Sequence, residues 1–296
     1  MNLPKITSDK IKTIAFQDKE YPEILRKIKN PPKVLYCLGR IFPKENCFAM
    51  VGARICSEYG KETALEIGGE IALSGLTIVS GMAPGIDTFC HRSAVEKGKR
   101  TIAVLGTGLD IKSIYPQSNL KLAEKILETG GSLVSEYPPG TQGAKFTFPQ
   151  RNRIISGLSL GVLVIEAKRK SGALITAKFA REQKKKVFAV PGSIYALNSK
   201  GCHLLIKQGA KLVENANDIL KELNLSADRQ VCQKEIIGET EEENLILNSL
   251  REGSLNIEKI IEKTKLSAPI AARTITILET KDKLKDLGGN IYGLNR

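Results

Sequence analysis

The chain has no tryptophan, two histidines and six cysteines among its 296 residues. His91 and His203 stand far apart, and no two cysteines form a Cys-x-x-Cys pair. That is poor material for zinc, which needs several such ligands at short spacings. Cys37, Cys47, Cys56, Cys90, Cys202 and Cys232 read instead as buried free thiols in a reducing compartment. No run of about 18 apolar residues occurs, so no transmembrane helix is expected. The first residues, Met1-Asn2-Leu3-Pro4-Lys5, lack the apolar core of a signal peptide. These absences predict a cytoplasmic protein without metal or membrane partner.

Catalytic signatures are equally scarce. A P-loop requires Gly-Lys followed by Ser or Thr. Here Gly60-Lys61 precedes Glu62 and Gly98-Lys99 precedes Arg100, so nucleotide hydrolysis has no local support. Gly106-Thr107-Gly108 has Ile111 where a dinucleotide fingerprint has its last glycine. No His-Glu-x-x-His or Gly-x-Ser-x-Gly is present. No cofactor is called for. Three carboxylates, Asp87, Glu136 and Glu166, stand as acid–base candidates near strand ends, and Asp87 has the alternative of capping the helix that follows.

What the chain has in excess is positive charge: 45 basic against 32 acidic residues, a net +13. A pI near 9.4 favours a polyanionic partner. Residues 240–296 hold nine basic and nine acidic side chains, so the whole excess lies before them. The densest cue is 145–153, Lys-Phe-Thr-Phe-Pro-Gln-Arg-Asn-Arg. Aromatic faces beside cations are what stacking of bases and holding of phosphates require.

From Cys47 to Leu220, short apolar runs alternate with amphipathic stretches. The runs are 47–51, 76–79, 101–105, 132–135, 161–165 and 187–190, and they suit strands buried on both faces of a parallel sheet. Helical patterns lie at 57–73, 86–97, 118–129, 150–157 and 172–185. The alternation predicts an α/β fold with a doubly wound, Rossmann-like, mostly parallel sheet over 47–225. Residues 1–46 supply N-terminal edge elements, a short helix around Pro22–Lys29 and an extra edge strand at Val34–Leu38. Residues 226–239 read as a linker. Residues 240–296 carry three capped helical stretches starting at Thr240, Asn256 and Ser267, then a Gly288-Gly289-Asn290 turn, the pattern of a small C-terminal winged-helix domain. Its neutrality leaves protein contact or weak DNA binding open.

Ligands of an open parallel sheet sit at the C-terminal ends of its strands. Gly52-Ala53-Arg54, the stretch from Ser80 through Gly81 to Asp87, and Ser171-Gly172-Ala173 all fall there. Glycine permits close approach of a ligand, and helix N-termini offer free N–H groups to phosphate. Arg54, Lys145, Arg151, Arg153, Lys168, Arg169 and Lys170 belong to the same edge, whereas Lys184-Lys185-Lys186 reads as a solvated helix end at the other. Phe146 is the stacking candidate, and Phe148 is divided between site and core. Arg153 either lines the groove or pairs with Glu136 or Glu166. Asn152 is a candidate for hydrogen bonds to a base or sugar.

Five stretches in order resemble the DprA/Smf family. They are Val51-Gly52-Ala53-Arg54 with Ser57-x-Tyr59-Gly60, and Ser80-Gly81-Met82-Ala83-x-Gly85-Ile86-Asp87. Phe148-Pro149-x-Arg151-Asn152-Arg153 follows, then Glu166-Ala167 with Ser171 to Ala177, and Val190-Pro191-Gly192. The resemblance spans about residues 20–220. It implies an extended Rossmann domain that dimerises, binds single-stranded DNA at the sheet edge and contacts the RecA recombinase in natural transformation. Ala53 departs from the serine common at its position, and the helical N-terminal domain of many members is absent or cut to a stub.

Two readings follow. The first is a non-enzymatic single-strand binder, with Gly52, Ala53, Arg54, Gly81, Lys145, Phe146, Phe148, Arg151, Asn152, Arg153, Lys168, Lys170, Ser171 and Gly172 at the site. The alternative is a nucleotide-hydrolysing Rossmann enzyme of the phosphoribohydrolase kind. That class carries Pro-Gly-Gly-x-Gly-Thr, and Ser193 after Pro191-Gly192 counts against it.

Overall fold

The computed structural model describes residues 6–225, 238–251 and 253–294. The chain divides into two compact units, Met1–Val231 and Cys232–Arg296.

In the first unit the elements run β1 (Lys12–Ala15), α1 (Glu23–Arg26), β2 (Val34–Gly39), β3 (Cys47–Val51), α2 (Glu58–Leu73), β4 (Thr77–Ser80), α3 (Ile86–Glu96) and β5 (Thr101–Leu105). They continue with α4 (Leu120–Glu128), β6 (Ser132–Ser135), α5 (Thr147–Gly157), β7 (Gly161–Val164), α6 (Gly172–Glu182), β8 (Lys186–Ala189), α7 (Lys200–Lys207), β9 (Lys211–Leu212) and α8 (Ala216–Glu222). One nine-stranded sheet has the order β1-β2-β6-β5-β4-β3-β7-β8-β9. From β6 to β9 every pairing is parallel. The strands β3 to β7 are apolar or β-branched and fully buried, as a sheet covered on both faces requires.

The expected doubly wound sheet is present, with two differences at its ends. Val34–Gly39 is not an edge: β2 lies antiparallel between β6 and β1, and the Lys12–Ala15 strand covers it. The sequence reading also left 193–222 without elements, where α7, β9 and α8 complete the other flank. Among the helices, α5 begins at Thr147 rather than Gln150. Pro149 is tolerated in this first turn, where an N–H has no intrahelical partner.

The winding order decides where a ligand can enter. Crossovers from β3 proceed through β4, β5 and β6 to one side; β7, β8 and β9 then fill the other. The chain reverses between β3 and β7, which pair through Ala49–Val51 and Val162–Val164. The loops after these two strands diverge and leave a crevice at their C-terminal ends.

One buried histidine gives this unit a pH signature. His91, on α3, is fully buried, with Nδ1 2.8 Å from Thr101 Oγ1. The Thr101 hydroxyl donates to the Ile78 carbonyl at 2.7 Å, so Nδ1 must donate to Thr101 and Nε2 carries the bare lone pair. Nε2 has no partner. Burial, with the nearby Arg151 charge, lowers the pKa from 6.5 to about 3. Between those values the unfolded chain takes up a proton that the folded chain refuses. Stability should therefore fall as pH drops from 6.5 towards 3, by roughly 1.4 kcal/mol per unit from this group. Denaturant midpoints measured across that window should show the slope, and His91→Gln should flatten it by about one proton. An unaltered slope in the variant would assign the titration elsewhere.

The second unit has three helices and a small sheet: α9 (Glu241–Ser249), β10 (Leu255–Asn256), α10 (Ile257–Thr264), α11 (Ala268–Thr280), β11 (Leu284–Asp286) and β12 (Ile291–Leu294). Thr240 Oγ1 caps α9 through the Glu243 N–H, and Asn256 caps α10 through the Lys259 N–H. The hairpin is β11–β12, with β10 on the far side of β12, an arrangement consistent with the expected winged helix. Ile246, Leu247, Leu250, Ile260, Ile275, Leu278 and Leu284 form the core. The linker expected at 226–239 lies outside the described residues except for Gly238 and Glu239, whose N–H groups are held by Asn244 and Glu243 at the start of α9.

No helix among the described residues is long and apolar enough to cross a membrane. Cys37, Cys47, Cys90 and Cys202 are buried free thiols; Cys56 is only half-buried, and Cys232 lies outside the described residues.

Candidate nucleic-acid interface

The crevice between the β3 and β7 loops holds a cavity of about 320 Å³. That volume falls in the range of small-ligand clefts, ~300–1,000 Å³. Gly52, Ala53 and Arg54 form one wall; Lys168, Lys170, Ser171 and Gly172 form the facing one. Phe148, Pro149, Arg151 and Asn152, from the first turns of α5, close the third side.

The α6 start is built to receive an anion. Ser171 caps the helix, its hydroxyl accepting from the Ala173 N–H at 3.3 Å. No acidic residue stands in the first turn of this 11-residue helix. The helix dipole therefore faces the cavity unopposed, with the Gly172 backbone on its wall. Space beyond Gly172 is open, so a bound group can come up to the backbone there.

Arg54, Lys168 and Lys170 are exposed, and among the described residues none makes an ion pair. The Arg54 guanidinium lies over the Phe148 ring, 5.8 Å from its centroid. Phe148 itself is wedged in a slot. A Cβ on Gly106 would meet its ring at 3.0 Å, and one on Gly143 at 2.6 Å. Close approach of the ring is what those two glycines permit. Phe148 is thus half-buried and belongs to the cavity wall rather than the sheet core.

The other α5 cations are committed within the protein. Arg151 is 4% exposed. Its Nη1 donates to the Gly81 carbonyl at 2.6 Å and to the Val104 carbonyl, and its Nε donates to Asn152 Oδ1 at 3.1 Å. Asn152 in turn donates to the Gly172 carbonyl at 3.2 Å. Through Nη1, Nε and the Asn152 amide, Arg151 and Asn152 therefore tie the ends of β4 and β5 to the α6 start. Burial lowers the Arg151 pKa to about 10, still charged at neutral pH. Arg153 pairs with Glu136 through two bonds, 2.9 and 2.6 Å. Of its two readings, the structural one is present. Gly81 is buried behind the cavity; a Cβ there would fall 2.6 Å from the Asp87 carboxylate and 2.7 Å from the Arg151 guanidinium. Lys145 and Phe146 are exposed but stand outside the cavity wall, Phe146 at 69% exposure.

All three candidate carboxylates have structural partners. Asp87 is buried and accepts from the Gly81 backbone amide at 3.2 Å. Burial nonetheless raises its pKa, against the opposing pull of Arg151. Glu136 is held by Arg153. Glu166 accepts from the Ser57 N–H at 2.9 Å, the Ser57 hydroxyl at 2.5 Å and Asn198 at 3.2 Å, locking the α2 start against the loop before α7.

The family profile described as DNA recombination-mediator protein A matches residues 12–224, which covers β1 to the end of α8. The chain belongs to that family. DNA processing protein DprA of Streptococcus pneumoniae is 45% identical over 221 residues, 72% of this chain and 74% of that protein. The Bacillus subtilis protein of the same name is 44% identical, over 72% of this chain and 71% of its own length. Protein Smf of Synechocystis is 45% identical over 70% of this chain, which spans 52% of that longer relative. Among solved structures, DNA processing protein A of S. pneumoniae superposes with a TM-score of 0.67 at 42% identity, covering 73% of this chain and 75% of its own. That of Helicobacter pylori, described for its single-stranded DNA binding mode, gives 0.64 at 29% identity, covering 74% and 98%.

Four of the five motifs that carry the family resemblance meet at one place. Arg54, Asp87, Arg151 and Gly172 come from four motifs separated by up to 118 positions, and all line the cavity. Sequence reasoning missed one aromatic beside it. Tyr115 lies 5.6 Å from Phe148, ring to ring, and is 52% exposed. Its signal was an aromatic before a proline in the loop opened by Gly106-Thr107-Gly108. The lysine cluster at 184–186 also differs from expectation: Lys185 is largely buried, with Nζ 2.7 Å from both the Ser156 and Gly157 carbonyls, capping the end of α5.

Proposed function

We propose that this family member binds single-stranded DNA along the C-terminal edge of its sheet. The observation that carries this reading is the convergence of Arg54, Lys168 and Lys170, unpaired, with the α6 N-terminus on one cavity at the chain reversal. Phosphates take the cations and the helix start. Bases lie against the Phe148 side, and Phe146 offers a further exposed ring on the same loop. The names of the relatives and the H. pylori protein's single-strand binding support the same reading. In our reading the chain protects single strands and helps to load the RecA recombinase during DNA uptake and recombination. It works as a cytoplasmic homodimer joined through the Rossmann-like unit, without catalysis or cofactor. The alternative of nucleotide hydrolysis draws on Asp87, Glu136 and Glu166, each of which is engaged as a structural acceptor.

The test is a titration of labelled single-stranded and duplex oligonucleotides of equal length at several salt concentrations. Single-strand preference is expected, with a log–log salt slope of about −0.7 per phosphate contacted. Duplex preference, or affinity indifferent to salt, would overturn the reading. Release of free base or ribose phosphate from nucleotides would restore the enzyme alternative.

A further inference from the structure

We infer that the exposed Tyr115 ring, next to Phe148 on the cavity wall, forms a second base-stacking surface for an unpaired nucleobase. The inference rests on the single-strand reading and adds a subsite to it.

Three observations carry it. First, the rings form a row. Arg54 lies over Phe148, and Phe148 lies against Tyr115 at 5.6 Å and 51°. A strand whose phosphates follow Arg54 and Lys168 thus meets Tyr115 as the next flat surface. Second, the Tyr115 ring stands out while its neighbours are buried. Ile114 and Pro116, on either side, lie in the interior. The loop is pinned by the Ile114 N–H to the Asp110 carbonyl at 3.1 Å and by Gln117 donating to the Ile111 and Ile114 carbonyls. Asn119 anchors its end to the Met82 carbonyl at 2.9 Å, in the loop that carries Gly81. An aromatic held this rigidly loses little freedom when a base settles on it. Third, the Tyr115 hydroxyl has no hydrogen-bond partner among the described residues. Exposure of the ring is therefore not explained by a polar contact.

The ligand chemistry is the π-face of a base, purine or pyrimidine, since nothing at Tyr115 reads a base edge. The full chain is titrated with an oligothymidylate of about six nucleotides and with a fully abasic strand of the same length. Tyr115→Ala should weaken the base-bearing strand by about 5- to 100-fold, with the salt slope unchanged. The abasic strand should bind the variant as it binds the wild type. Tyr115→Phe should keep wild-type affinity, because the ring does the stacking. Arg54→Ala should weaken both strands. The subsite is refuted if Tyr115→Ala binds the base-bearing strand like wild type, or weakens both strands equally, which would make Tyr115 only a shaper of the loop. Failure of the wild type to bind either strand would remove the single-strand reading and the subsite with it.

Discussion

Arg151→Met is expected to lower the stability of the first unit by about 3–5 kcal/mol, the usual cost of stranding the surroundings of a buried charge. The side chain is of similar length, so volume is not the issue. The loss comes from the Gly81 and Val104 carbonyls, which surrender their donor, and from Asp87, which stays buried without the cation on the other side of Gly81. Arg151→Lys should do little better, because one ammonium cannot span both carbonyls and Asn152 as the planar fork does. In thermal unfolding the change should appear as a midpoint drop on the order of 10 °C. Asp87→Asn combined with Arg151→Met should cost less than the two single changes summed, since the stranded carboxylate is gone. An Arg151→Met protein of native stability that no longer binds DNA would make this residue a ligand contact instead of a strut.

The second large effect concerns binding with stability spared. Arg54→Ala with Lys168→Ala removes two cations that make no ion pair within the described protein. Each is placed to make a charge-assisted bond to phosphate, so the double variant should bind single strands on the order of a hundredfold more weakly at low salt. The log–log salt slope should shrink by about 1.4, two contacts' worth. Its unfolding midpoint should match the wild type. A slope that stays put, or a fall in stability, would mean that these side chains serve the fold. The Arg151 and Arg54 experiments thus separate two arginines that line the same cavity.

Why one arginine was legible and the other not is a matter of what each touches. Arg54 follows a strand and a glycine, and its role depends on position along the sheet edge, which periodicity reveals. Arg151 is fixed by carbonyl oxygens of Gly81 and Val104, and every residue has a carbonyl. Nothing in the side-chain pattern marks those two as acceptors. Arg153 lay between these cases: its partner Glu136 is a charged side chain, so the pair was one of two stated readings. The buried strands β3 to β7 were readable because a sheet covered on both faces needs uninterrupted apolar runs. β1 escaped notice because Lys12–Ala15 is short, with exposed residues at its start. Tyr115 escaped because its ring meets Phe148 across more than 30 positions of chain, and only folding brings them together.

The cavity lies on the seam between two halves of a sheet that are far apart in sequence. Its walls are drawn from Val51 through Thr176, and β3 has no neighbour on its open side until β7 is in place. During synthesis, a nascent chain whose first four parallel strands have already left the ribosome can form β3 to β6 and still lack the cavity's second wall. The cavity is completed only when β7 and the start of α6 emerge. A truncated translation product ending before Gly161 would keep Arg54 and Phe148 and lack the facing wall, Lys168 to Gly172.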